Sequence, residues 1–274
     1  MKLILLLTCF SIAALAQKNP TVEIGNNPSA GGYFSNGPVK IYYEVYGTGK
    51  PLVIIHGNGG SIRGRVEFIQ EFSKKYKVIM MDNRCHGKTD CPAAHLTYEQ
   101  IAGDLNALLT HLKVDSTFMW GHSDGAIIGL IMAMKYPDKV KKLLASSANL
   151  RPDTTAIDPA IFPLLDKMRP QYMKDSIQSK RFQLLVSEPH IPAKNLGAIK
   201  ADVLIMAGDR DIIRTEHTLE IFNNIPGAFL CILPGTTHGV YQDRNKWFKE
   251  ILYDFFDNPQ QRLTTVELMK KSMK

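Results

Sequence analysis

The chain has 274 residues, of which 45% are hydrophobic and 22% charged, the composition of a globular protein with a full hydrophobic core. Its formal net charge is +7, but the basic residues lie in small scattered groups. They form neither a long run nor a pattern interleaved with aromatic residues, so the sequence argues against a nucleic-acid partner.

The first sixteen residues have the pattern of a secretory signal peptide. Lys2 precedes an apolar run at 3–10, and a small-x-small site ends at Ala16. Cleavage after Ala16 predicts a secreted or periplasmic protein. A lipoprotein site at Cys9 is the alternative, although the residue before it fits such a site poorly. No other segment approaches the length of a membrane span, so no stable membrane insertion is predicted.

Strands and helices alternate along most of the remaining chain. Residues 17–32 are rich in Asn, Gly, Pro and Ser and predict a loose lead-in. Strands are predicted at 39–46, 52–55, 78–81, 118–120, 142–145, 203–207 and 229–233. Helices are predicted at about 61–75, 97–112, 124–136 and 247–255. This alternation predicts an α/β fold with a mainly parallel central sheet flanked by helices.

A long segment between the strands at 142–145 and 203–207 does not fit a single crossover helix, because prolines divide it into short helical pieces. We predict a short helical lid there. The predicted organisation is a signal peptide at 1–16, a lead-in at 17–32, a core at 33–148 and 200–257, a lid at 149–199 and a tail at 258–274. Phe162 and Leu165 of the lid are candidate substrate-binding residues, although apolar lid residues also pack against a sheet.

Three cysteines remain once the signal peptide is removed. Cys85 and Cys91 lie in one loop and could form a disulfide in an oxidising compartment, but their spacing does not fix the geometry. Two free thiols are the alternative. Cys231 lies within an apolar run and is predicted to be a buried small hydrophobic residue.

One short motif carries chemistry. The run Gly121-His122-Ser123-Asp124-Gly125 matches G-x-S-x-G, with a predicted strand before it and a predicted helix after it. Such a turn holds the serine in a strained conformation with its hydroxyl exposed, and a side chain at either glycine would crowd the turn. The N-terminus of the helix also offers N–H groups to negative charge. We therefore predict Ser123 as a nucleophile.

A serine hydroxyl needs a base, and the base needs a group that orients it. His238 lies in the loop after the last predicted strand, and Asp209 and Asp211 follow the strand before it. The acid fixes the imidazole tautomer and stabilises the imidazolium. Either aspartate satisfies the spacing.

The order Ser123, Asp211, His238 resembles that of the α/β-hydrolase superfamily, over about residues 33–257. The resemblance implies the α/β-hydrolase fold of the esterase, biphenyl hydrolase-like or aminopeptidase-like branch. It also implies that the acid is the last residue of a G-x-x-D stretch, which is Asp211. Asp209 is the alternative, and its structural interpretation is a turn residue.

The same resemblance implies an oxyanion hole. The loop at 56–60 looks like the family's oxyanion loop, so the backbone N–H of Asn58 is expected to act with that of Asp124. His56 is expected to be a structural hydrogen-bonding residue behind this loop. The Asp124 side chain is similar to one thought to meet a substrate ammonium group, or it serves only the helix dipole. The loop beginning at Asp82 departs from the family pattern, with Cys85 where glycine is usual.

The sequence therefore predicts acyl transfer: a secreted serine hydrolase that cleaves an ester bond of a small to medium acyl substrate through an acyl-enzyme on Ser123. An aminopeptidase-like hydrolase of amino-acid esters or amides is the first alternative. A non-catalytic ligand-binding protein on the same fold is the second, because fold alone does not determine function. No cofactor and no metal are implied, since the other histidines lack metal-ligand spacing. The oligomeric state is not indicated.

Overall fold

An eight-stranded sheet forms the centre of the protein. The computed structural model describes residues 23–92 and 95–273, so the predicted signal peptide and the first part of the lead-in lie outside the described residues. The strands are β1 Gly31–Asn36, β2 Val39–Tyr46, β3 Lys50–Ile55, β4 Tyr76–Met81, β5 Thr117–His122, β6 Val140–Ser146, β7 Asp202–Gly208 and β8 Phe229–Leu233. Their order in the sheet is β1-β2-β4-β3-β5-β6-β7-β8. Strand β2 is antiparallel to β1 and β4, and the other neighbours are parallel, which confirms the predicted α/β fold.

Helices connect the strands and flank the sheet. They are α1 Val66–Phe72, α2 Tyr98–His111, α3 Asp124–Lys135, α4 Ile161–Tyr172, α5 Ser176–Ser187, α6 Thr215–Asn224, α7 Val240–Asp243, α8 Asn245–Asp257 and α9 Thr265–Ser272. Within 23–92 and 95–273, no helix combines the length and apolar character needed to cross a bilayer.

Two hydrophobic cores lie on opposite faces of the sheet, as the alternation of side chains along a buried strand requires. In β3, Leu52 and Ile54 belong to one core and Val53 and Ile55 to the other. Helices α2 and α3 cover the face of Val53, and α1 and α8 cover the face of Leu52, where aromatic side chains pack around Trp120. Helix α3 is apolar on nearly every side because it packs directly against the sheet.

The structure contains elements that the sequence patterns did not indicate. Strand β1 begins inside the predicted lead-in and pairs with β2 along its whole length. Its glycine-rich start hides it, yet glycine is needed there because a Cβ at Gly31 would lie 1.9 Å from the carbonyl oxygen of Tyr43. Helix α6 was not predicted, and α9 lies in the predicted tail.

The segment between β6 and β7, predicted as a lid, contains α4 and α5. Helix α4 has no buried residue, whereas α5 buries Phe182 and Leu184. A short 3₁₀ helix that follows buries Leu196. Before α4, the segment also buries Leu150 and Ala156 and forms a bridge between Ile157 and Ile213, so it is attached at both ends and α4 is its most exposed part.

Cys85 and Cys91 form a disulfide, which closes a loop after β4. Cys231 is half-buried rather than buried, because β8 is an edge strand. Burial still raises the pKa of its thiol.

Candidate active site

Ser123 lies at a sharp turn between β5 and α3. Its backbone adopts φ 55° and ψ −122°, a left-handed conformation that is costly for a residue with a side chain. The chains on either side come too close for a Cβ at the flanking glycines: one at Gly121 would lie 2.1 Å from the Gly125 carbonyl oxygen, and one at Gly125 would lie 2.1 Å from that of Ile55. The predicted crowding of this turn is thus confirmed.

The structure brings Ser123, His238 and Asp211 together in one hydrogen-bonded row. The distance from His238 Nε2 to Ser123 Oγ is 3.0 Å, and that from His238 Nδ1 to Asp211 Oδ1 is 2.7 Å. The three residues follow β5, β7 and β8 at the carboxyl edge of the sheet. This is the geometry that a nucleophile, a base and an orienting acid require.

The Asp211 carboxylate is fully enclosed and receives further hydrogen bonds. The Ser147 hydroxyl donates to Oδ2 at 2.6 Å, and the Ile213 backbone N–H donates to Oδ1 at 3.0 Å. Burial alone would raise the pKa of Asp211, but its bonds to His238, Ile213 and Ser147 outweigh burial and hold the pKa below its ordinary value. The acid is therefore held ionised beside the imidazole.

Asp209, the alternative acid, lies elsewhere. Its Oδ1 accepts a hydrogen bond from the Thr236 backbone N–H at 3.2 Å, and its side chain is exposed. This bond joins the loops after β7 and β8, so Asp209 helps to fix the loop that carries His238. Of the two aspartates, the geometry places only Asp211 against the imidazole.

The first backbone N–H groups of α3 differ in what they bond to. Those of Ala126 and Ile127 donate to the Ser123 carbonyl, whereas Asp124, the first residue of α3, has no preceding turn to bond to. Asn58 lines the same cavity as Ser123. The oxyanion hole formed by the N–H groups of Asn58 and Asp124 stays a prediction.

Two buried histidines hold the loop of Asn58. His56 Nδ1 bonds to the Gly57 carbonyl at 2.8 Å, and its Nε2 accepts from the Asn83 N–H at 3.0 Å. His86 Nε2 accepts from the Gly59 N–H at 3.1 Å. Burial lowers the pKa of both imidazoles, so both are neutral and able to accept these bonds. His56 thus has the structural position predicted for it.

The Asp124 side chain is not among the groups that line the cavity containing Ser123. It is 3% exposed, and its Oδ2 accepts from Asn58 Nδ2 at 3.0 Å, while the same amide donates to the Arg181 carbonyl of α5 at 3.1 Å. Burial raises the pKa of Asp124 to about 6, although the side chains of Tyr98 and Asn58 partly oppose the shift. The Asn58 amide thus links its own loop to α3 and α5.

The cavity has a volume of about 360 Å³. Glycine backbone and polar side chains line it. The lining residues are Gly57, Asn58, Gly59, Gly60, Arg65, His122, Ser123, His238 and Tyr241. Phe162 and Leu165, the predicted substrate-binding residues, are not part of this lining. Phe162 packs instead beside the small apolar cluster of Ile157 and Ile213. Their role in substrate binding stays a prediction.

Sequence reasoning missed Ser147, Arg65 and Tyr241. Ser147 directly follows β6 at the edge where the other site residues lie, so its position after a strand was an available signal. Arg65 ends a 3₁₀ helix and Tyr241 is the second residue of α7, and no motif marks either of them. Only the folded chain brings their side chains together.

Residues 50–190 match the family model for the alpha/beta hydrolase fold, and the chain belongs to this family. Among curated proteins, it is 36% identical to an abhydrolase domain-containing protein of Schizosaccharomyces pombe over 113 residues, 39% of this chain and 42% of that protein. It is 31% identical to epoxide hydrolase 3 of Siraitia grosvenorii over 149 residues, 53% of this chain and 45% of that protein. The chain spans less than half the length of these relatives.

Solved structures cover more of the chain. The enzyme Est816, described as degrading N-acyl homoserine lactones, superposes with a TM-score of 0.69 at 26% identity, over 81% of this chain and 99% of that one. The enol-lactonase of Burkholderia xenovorans LB400 superposes with a TM-score of 0.69 at 19% identity, over 82% of this chain and 99% of that one. The second likeness shows the fold alone.

Proposed function

We propose that the protein is a serine hydrolase that cleaves an ester bond of a small to medium acyl substrate. The observation that carries this proposal is the row of hydrogen bonds from Ser123 through His238 to Asp211, at 3.0 and 2.7 Å. Ser123 and His238 also line a cavity that is large enough for a small molecule. The similarity to an enzyme described as degrading lactones, which are cyclic esters, favours ester over amide substrates.

The proposed reaction has two halves. In the first, Ser123 Oγ attacks the ester carbonyl while His238 Nε2 takes the hydroxyl proton, and the oxyanion is stabilised by the N–H groups of Asn58 and Asp124. The alcohol then leaves with the proton held by His238. In the second half, His238 deprotonates a water molecule, which attacks the acyl-enzyme and releases the carboxylic acid and the Ser123 hydroxyl.

The arrangement gives the amino-acid-directed alternative less support. Recognition of a substrate ammonium group by Asp124 would require its carboxylate to face the cavity. That carboxylate is instead enclosed and hydrogen-bonded to Asn58. An ester substrate without a required amine is the simpler fit.

Labelling with a fluorophosphonate probe tests the nucleophile. Wild-type protein should react covalently at Ser123, and Ser123→Ala should not, because the probe needs an activated hydroxyl. Ser35→Ala, which removes an exposed hydroxyl on β1, is the matched control and should label like wild type. Equal labelling of Ser123→Ala and wild type would remove the assignment. Saturable ligand binding without labelling or ester turnover would favour a non-catalytic binding protein.

We also propose that the protein acts outside the cytoplasm. The support is the signal-like pattern at 1–16 together with the Cys85–Cys91 disulfide, a bond typical of oxidising compartments. N-terminal sequencing of the protein recovered from the periplasm or medium should begin at Gln17. Recovery of the full-length chain from the cytoplasm alone would contradict this.

A further inference from the structure

Arg65 is a buried cation in the wall of the cavity that contains Ser123. It ends the 3₁₀ helix Ile62–Arg65 just after the oxyanion loop, and only 8% of the residue is exposed. Its Nη1 donates to the Tyr241 hydroxyl at 3.0 Å. Arg65 and Tyr241 both line the cavity together with Ser123 and His238. None of the steps proposed above uses either side chain.

The guanidinium lacks the partner that a buried charge normally has. Within 23–92 and 95–273, it forms no ion pair with a carboxylate, and its buried Nε has no hydrogen-bond acceptor. The rings of Tyr241 and Trp120 lie 4.5 and 5.7 Å from its Cζ atom, which stabilises the charge. Ring faces do not replace an anionic acceptor for the N–H groups, and an unpaired buried cation is costly.

The surroundings leave the positive charge of Arg65 uncompensated. Burial lowers the pKa of His56 and His122, and the nearby charge of Arg65 lowers both further. The Tyr241 hydroxyl accepts from Arg65, so its own proton can be donated to a ligand. The buried carboxyl groups of Asp124 and Asp82 have other partners: the first accepts from the Asn58 amide and the second from backbone N–H groups. An anion entering the cavity would therefore meet N–H donors of Arg65, the hydroxyl of Tyr241 and a full positive charge.

We propose that Arg65 and Tyr241 form an anion subsite, and that the substrate is an ester carrying a free carboxylate. This rests on the proposed function, because the subsite shares its cavity with Ser123. A guanidinium presents paired N–H groups that match a carboxylate, and the hydroxyl adds a third donor. The carboxylate belongs either to the acyl part or to the leaving group of the ester, and the experiment distinguishes these.

Two matched pairs of esters test the subsite. On the acyl side, monophenyl glutarate is compared with phenyl valerate; on the leaving-group side, 3-(butyryloxy)benzoate is compared with its methyl ester. Wild-type protein should prefer the anionic member of one pair by at least about tenfold in kcat/KM, the usual strength of a hydrogen bond to a charged group. Arg65→Met should lower kcat/KM for that ester about ten- to hundredfold and change the neutral partner less than threefold.

Two further variants complete the set. Arg65→Lys keeps the charge but loses the planar fork, so it should retain part of the preference. Arg63→Met is the control, because Arg63 is an exposed neighbour paired with Glu23 and should leave the preference unchanged. The subsite would be overturned if Arg65→Met lowered kcat/KM equally for the charged and the neutral ester. It would also be overturned if wild-type protein showed no preference for the charged ester of either pair. Circular dichroism shows whether Arg65→Met folds. If it does not, the ratio of kcat/KM for the charged and neutral esters is compared between wild type and Arg65→Lys, and an equal ratio in the two proteins would overturn the subsite.

Binding to an inactive protein separates this proposal from the hydrolase proposal. Ser123→Ala is titrated with glutarate and with 3-hydroxybenzoate in a calorimeter, and one of the two carboxylates should bind. Adding Arg65→Met to this variant should raise the Kd for that carboxylate at least tenfold. Such binding without turnover of any ester would overturn the hydrolase and keep the subsite. Turnover of neutral esters, with neither carboxylate bound, would keep the hydrolase and overturn the subsite.

Discussion

Replacing Asp211 by Asn isolates the role of the carboxylate, because the two side chains have nearly the same shape. Asp211 now accepts bonds from His238, Ser147 and the Ile213 N–H. An amide has one oxygen and one NH₂ group, so it cannot accept all three. If its NH₂ group faces His238 Nδ1, the imidazole must carry its proton on Nε2, where it can no longer accept the proton of Ser123.

The expected loss is large. The missing charge beside the imidazolium, with the wrong tautomer added wherever the NH₂ group faces His238, should lower kcat for ester hydrolysis about 10³- to 10⁴-fold, or about 4 to 5.5 kcal/mol of transition-state stabilisation. KM should change little, since Asp211 does not line the cavity. Steady-state kinetics on a p-nitrophenyl ester, with circular dichroism to check folding, measures both quantities.

Asp209→Asn is the matched control. In the part of the chain that the structure describes, the Asp209 side chain forms one hydrogen bond, from the Thr236 N–H, and the oxygen of an amide can still accept it. Its kcat should stay within about threefold of wild type, as expected for a change at the surface. A greater loss in Asp209→Asn than in Asp211→Asn would show that the acid has been assigned to the wrong residue.

Two further changes test the surroundings of the site. Ser147→Ala removes the 2.6 Å hydrogen bond to Asp211. Because that bond is to a charged group, kcat should fall about tenfold while KM stays unchanged. An unchanged kcat would show that the Asp211 carboxylate keeps its position without the Ser147 hydroxyl. Asp124→Asn tests the buried acid, whose pKa of about 6 lies above the ordinary 3.8. The folded protein binds more protons than the unfolded chain between these values, so stability should fall by about 3 kcal/mol at most as the pH rises through that window. Asp124→Asn should lose this pH dependence in urea denaturation, and an unaltered profile would place the titration elsewhere.

Much of the fold and the central row of the site could be predicted from the sequence because both depend on local signals. Buried strands of a parallel sheet are continuous apolar runs, and they were found within a few residues of their observed bounds. Ser123, Asp211 and His238 each follow such a strand, and the ends of parallel strands share one edge. Their convergence therefore followed from the strand assignment together with the family order.

The missed features depend on contacts between distant segments. Strand β1 has no alternation to reveal it and is defined by pairing with β2. The Asp124 side chain could have faced a ligand or the protein, and only the packing of Asn58 and α5 decides. Arg65 and Tyr241 are 176 positions apart in the chain, and neither stands in a pattern that marks a site.

The contact between Asn58 and the segment above the sheet has a consequence for how this protein can diverge. The acceptor at Arg181 is a main-chain oxygen, which every amino acid supplies. Substitutions at position 181, and along the outer surface of α4, can therefore accumulate without cutting the link to the oxyanion loop. The sequence of this outer surface can thus change while Asn58 keeps its place beside Ser123 in the cavity wall.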